Sequence, residues 1–296
     1  MIGAGGRRRA VMVIGVGLAV GIGFGLRSAD AARADPSGAF ARAQLMADAA
    51  EAADVALARL GAELDRAREH ARRGTALTVA GDAPAPELTS AADLLAGASD
   101  EADAARRGLL ALRGIAAAIQ PGVTTPALSY GGTDLELIAG QLRSSAAAAT
   151  LFVERRHATQ AVVDALAEAL AALERDDPTA ALDELAKAGA PLALLEDWEE
   201  RSPLLRYWMM ISVDLLDAAH DIATATLSDD LAAVKAAGER YAEAAALARG
   251  ADNALALTLS EEGAAISATP LRRLAAVADE VDDARSGLLP VLRQAP

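Results

Sequence analysis

The chain reads as an all-α protein in which long antiparallel helical hairpins form an elongated, Ala-rich bundle behind an N-terminal membrane-targeting helix. Three observations lead there. Hydrophobic residues make up 53% of the 296 positions but aromatic ones only 3%. The apolar content is therefore mostly Ala, Leu and Val, with Ala and Leu the strongest helix formers and the residues that suit pleated sheet scarce. Apolar side chains recur at 3-4 spacing over long stretches, the period of one helical face. Prolines preceded by Asp, Ser or Thr recur along the second half, as they do in the first turn of helices.

The N-terminus comes first. Arg7, Arg8 and Arg9 precede an uncharged apolar run from Ala10 to Leu26, after which Arg27, Asp30 and Arg33 restore polarity. Seventeen residues at about 1.5 Å each just reach across a hydrocarbon core, so residues 1–34 read as a signal peptide or a short membrane anchor. Ala29-Asp30-Ala31 and Ala32-Arg33-Ala34 offer small residues for cleavage. Gly17, Gly21 and Gly25 form a G-x-x-x-G-x-x-x-G row that would let two membrane helices pack closely. The arginines stay cytoplasmic by the positive-inside rule, which puts the remainder outside. The expected location is a bacterial-type membrane with an extracytoplasmic (periplasmic) domain, or secretion if the leader is removed.

The first helix should run from Ala39 through Ala43, Met46, Ala50, Ala53, Leu57, Leu60, Leu64, Ala67 and Ala71 to a stop at Gly74, a coiled-coil seam built largely of alanine. A second helix should open at the capping pair Ser90 and Asp93 and carry Ala91, Leu95, Ala98, Ala102, Ala105, Leu109, Leu112, Ala116 and Ile119 up to Pro121. Two matched seams imply a hairpin. The third helix should start at the capping box Thr133-Asp134-Leu135-Glu136 and reach Asp176 through Ile138, Leu142, Ala149, Phe152, Val163, Leu166, Leu170 and Leu173. Shorter helices follow from Asp177-Pro178, Pro191, Ser202-Pro203, Ser228 and Thr269-Pro270, with Gly189 and Gly250 as C-terminal stops. The helix from Pro203 to Leu227 is apolar over most of its circumference and should lie at the centre of its bundle.

An internal repeat is visible. Residues 99–110 read SDEADAARRGLL and residues 278–289 read ADEVDDARSGLL, identical at 8 of 12 positions. ALTV at 76–79 is answered by ALTL at 256–259, and each follows a long helical stretch ending in Arg-Gly, at Arg73-Gly74 and Arg249-Gly250. The alternation of Leu77 and Val79, and of Leu255, Leu257 and Leu259, would allow a very short two-stranded ribbon. The expected organisation is a leader over 1–34, a hairpin over 35–121, a central helical region over 133–227 and a second hairpin over 228–296.

Several chemistries are excluded. A net charge of −14 argues against nucleic acid, whose phosphates are bound by clustered Lys and Arg. The absence of Cys removes disulfides, thiolate metal sites and thiol nucleophiles. Phosphate-binding Gly-rich loops and the G-x-S-x-G nucleophile elbow are absent as well. Glu154-Arg155-Arg156-His157 matches the Glu-x-x-His spacing of di-metal helical bundles, and Asp217-Ala218-Ala219-His220 echoes it. Two arginines inside the first motif work against a cation there. A ligand pocket beside the break at Ser202-Pro203 would be lined by Trp198, Tyr207 and Trp208, whereas core packing is the ordinary use of such residues. The reading that follows is a non-enzymatic extracytoplasmic interaction or scaffold module without a cofactor. Its partners would be the membrane through residues 10–26 and a protein or a second copy. A periplasmic ligand-binding or sensory domain and a di-metal enzyme are the alternatives.

Overall fold

The computed structural model describes residues 36–119, 122–199 and 202–293. The leader, its glycines 17, 21 and 25, and Pro121 lie outside the described residues. Those described form an all-α helical bundle. The helices are α1 (Pro36–Ala80), α2 (Ala85–Gly97), α3 (Ser99–Ile119), α4 (Gly132–Glu174), α5 (Pro178–Ala186), α6 (Gly189–Glu199), α7 (Pro203–Leu227), α8 (Leu231–Ala265) and α9 (Ala268–Arg293). Among them no helix is long and apolar enough to cross a membrane.

The Ala-rich seam of α1 is buried as its spacing demands: Ala50, Ala53, Leu57, Leu64, Ala67 and Ala71 are fully enclosed. The helix nevertheless runs past Gly74. A Cβ at that position would come within 2.6 Å of Leu88 Cγ, so Gly74 permits α2 to pack closely and is not a stop. The chain turns instead at Gly81, whose φ of +88° ends the helix while its N–H and that of Asp82 both reach the Leu77 carbonyl at 2.9 Å. Residues 76–79 and 255–259 are consequently helical, and no strand occurs among the described residues, so there is no ribbon. Gly250 likewise sits inside α8, and Gly189 opens α6.

The return arm is two helices, not one, broken at Ala98. Its seam still holds, since Ala91, Leu95, Ala98, Ala102, Ala105, Leu109, Leu112 and Ala116 are all buried. Ser90 and Asp93 are interior to α2, where Asp93 pairs with Arg143 at 3.0 Å. At the start of α4 the cap is made differently from the expected box. Asp134 Oδ2 accepts the Gly131 N–H at 2.9 Å, and Asp103 from α3 accepts the Gly132 N–H at 2.8 Å. The far half of α4 is also rotated from expectation: Val162, Ala165, Ala169 and Ala172 face inward while Val163 is 40% exposed. Alanines there take the innermost positions, and Leu166 and Leu173 pack at the margin.

Two turns share one design. Asp176 and Asp229 adopt left-handed φ values of 61° and 54°. Asp and Asn tolerate that region better than other residues with a Cβ. Asp177 and Asp230 then cap the next helix, accepting N–H bonds from Ala180 and Ala233 at 3.0 Å. Ser228 therefore closes α7 and does not open α8. Ser202, by contrast, caps α7 as expected, accepting the Leu205 N–H at 3.3 Å.

The helices divide into two compact units. Unit 1 comprises residues 36–64 of α1, the stretch 97–135 with α3, and α9 from 276. Unit 2 holds residues 65–96 and 136–275. In unit 1, Gly108 of α3 faces Ala53 of α1, and Gly61 of α1 faces Val281 of α9. Asp54 receives Arg285 at 2.9 Å, so α1 lies beside both α3 and α9. The link from 122 to 131 is fastened to α9, with Ser129 donating its N–H and hydroxyl to Glu280 at 2.6 and 2.8 Å.

Candidate functional site

Two regions carry the sequence-derived site residues, and both lie in unit 2. The first surrounds α7. Trp198 and Trp208 are only 8% and 3% exposed, and both belong to the apolar core with Phe152, Leu205 and Met209. Phe152 meets the Trp198 ring edge-on at 6.2 Å, and the Arg155 guanidinium covers that ring at 4.9 Å. The Trp208 indole N–H would be stranded in such a core, but it donates to Asp252 on α8 at 2.7 Å. Tyr207 points elsewhere and is 41% exposed. Neighbours on a helix are about 100° apart, so adjacent residues 207 and 208 do not share a face. The tryptophans thus join α4, α6, α7 and α8, with Phe152, Arg155 and Asp252 as partners. A carboxylate set among apolar residues in α8 was the one sequence signal for Asp252.

The second region holds the Glu-x-x-His motif. Glu154 and His157 are exposed on α4, and so are Asp217 and His220 on α7. His157 Nε2 donates to the Gly81 carbonyl at 2.7 Å, while Arg156 donates to the carbonyl of Val79. Both side chains therefore satisfy carbonyls that the end of α1 leaves without helical partners, where cations are also favoured. His70 bonds Glu87 at 2.6 Å across the α1–α2 corner, and His220 lies 3.9 Å from Asp221. Among the described residues no group of three or more His, Cys, Asp or Glu is placed to hold a metal ion.

Burial raises the Glu262 carboxyl and the Tyr241 phenol above their ordinary values, both on α8. A shallow groove of about 590 Å³ runs between the start of α4 and the start of α9, lined by Glu136, Gln141, Ser144, Ser145, Thr269 and Pro270. In unit 1 a second groove of about 460 Å³ lies between Arg113 and Ala117 of α3 and the link residues Gly122, Thr124 and Thr125.

No family model, curated protein or solved structure matches the chain. The reading of its function rests on its own residues.

Proposed function

We propose that this protein is a non-enzymatic helical interaction or scaffold module, held at a membrane by its N-terminal segment and acting on the extracytoplasmic side. The observation that carries the reading is how its chemistry-bearing side chains are used. Trp198 and Trp208 join helices, Arg156 and His157 cap α1, and His70 ties α1 to α2. Meanwhile large aliphatic side chains remain outside on the long helices, among them Leu151, Leu247 and Leu257, each more than half exposed. Isolated exposed leucines are ordinary, but long helices bearing several of them suit contact with other helices.

The test is a native mass spectrum of the full-length gene product, extracted gently from bacterial membranes. The proposal expects a mass that includes Met1 and an assembly of two or more chains, or a chain with a bound protein. A mass beginning after Ala31 or Ala34, with a small ligand or a metal at fixed stoichiometry, would replace it with a binding protein or a metalloenzyme.

A further inference from the structure

Charge is distributed unevenly in this acidic chain, and unit 1 shows where. Residues 36–47 of α1, 104–119 of α3 and 284–293 of α9 contain no Asp or Glu, in a chain that has 42. They hold Arg42, Arg106, Arg107, Arg113, Arg285 and Arg293.

The packing of unit 1 brings these stretches to one end. Gly108 faces Ala53, and past that point α3 runs back toward the start of α1. On α9, Val281 faces Gly61 while Arg285 reaches Asp54, so α9 also advances as α1 recedes. Among the described residues of α1 the carboxylates nearest this end are Asp48, Glu51 and Asp54, and Asp54 is occupied by Arg285. Phe40 and Leu45 stand out at the same end, 62% and 50% exposed. The groove of Arg113, Thr124 and Thr125 opens there as well, offering a guanidinium and two hydroxyls.

Where the chain comes from supplies the partner. The uncharged apolar run ends at Leu26, ten positions before Pro36. Ten residues span at most about 35 Å, so a membrane segment over 10–26 keeps the start of α1 within about 35 Å of the bilayer and lets it reach the surface. We propose that this end of unit 1 rests on an anionic lipid surface, with Phe40 and Leu45 at the headgroup boundary and Arg42 and Arg113 on lipid phosphates. The inference rests on the membrane-held reading above. Each basic side chain near an anionic surface gains on the order of 1 kcal/mol. That attraction fades within a Debye length of about 8 Å, so only the near end takes part.

The chain has no Cys, so single-cysteine labels report one site each. Full-length protein carrying Phe40→Cys or Arg59→Cys would be labelled with a polarity-sensitive dye. It would then be reconstituted in phosphatidylcholine vesicles with and without phosphatidylglycerol. The two sites lie about 28 Å apart along α1. A headgroup-bound quencher should dim the label at 40 on the anionic vesicles and leave the label at 59 bright. Arg42→Glu with Arg113→Glu should abolish the dimming, and Arg42→Lys with Arg113→Lys should keep it. A label at 40 that stays in water on anionic vesicles retaining the chain overturns the surface contact alone. So does dimming that survives the charge reversal. Vesicles that retain no chain overturn both the contact and the membrane-held reading.

Discussion

Residues 99–110 and 278–289 are alike in sequence and both belong to unit 1, yet they are used differently. Their burial agrees at 10 of 12 aligned positions: Ala102, Ala105 and Leu109 are buried, as are Val281, Ala284 and Leu288. Their partners do not agree. Gly108 faces Ala53 of α1, while Gly287 faces Pro126 of the link. Glu280 is held by Ser129, whereas Glu101 Oε2 is enclosed with no hydrogen-bond partner. The repeat therefore specifies which side of each helix turns inward, and the neighbours decide what that side meets.

Changes made in pairs would sharpen this comparison. The largest effect belongs to the shared core. Leu109→Ala and Leu288→Ala should each cost about 2–5 kcal/mol, by lost transfer energy and a residual cavity, in denaturant unfolding. One loss near zero would mean the two faces are not equally buried. Next come the carboxylates. Glu280→Gln should cost about 1 kcal/mol and speed amide exchange at Ser129, because a charged acceptor of two bonds is removed. Glu101→Gln should leave stability almost unchanged, or raise it.

The glycines should separate in the opposite sense. Gly108→Ala gains up to about 1 kcal/mol of helix propensity, because the new methyl meets Ala53 no closer than 3.6 Å. Gly287→Ala would press on Pro126 at 3.2 Å and should gain little or nothing in the same denaturant unfolding. The smallest effect is expected at the last aligned position. Leu110→Ser and Leu289→Ser, both on exposed sites, should shift stability by less than about 0.5 kcal/mol each.

Much of the fold was legible because the 3-4 spacing of small apolar residues records one buried face. The seams of α1 and of α2–α3 are buried where that spacing puts them. Helix ends were harder to read. Glycine can stop a helix or let another approach, and residue order alone does not separate Gly81, with its φ of +88°, from Gly74 beneath Leu88. The Asp-Asp turns show the same difficulty, since either aspartate could cap and only the left-handed φ of the first decides the matter. Alternation at 76–79 and 255–259 suggested strands, but those residues continue helices whose apolar side chains are shared between two faces.

Of the candidate site residues, the aromatic pair was found by its composition and its surroundings were not. The Trp208 bond to Asp252 crosses 44 residues of chain, and a carboxylate among apolar residues of α8 does not say which side chain it will meet. The Glu-x-x-His spacing was real on paper. His157 proved to serve the end of α1, a role set by where Gly81 falls after the helices pack.

The most direct measurement is a cysteine scan of residues 99–110 and 278–289 in this otherwise cysteine-free chain, read as maleimide labelling rates in the folded protein. The account predicts two profiles that superimpose, slow at 102, 105 and 109 and equally slow at 281, 284 and 288. Profiles offset by one or two residues, or a slow phase in only one stretch, would contradict the claim that the two segments bury the same face.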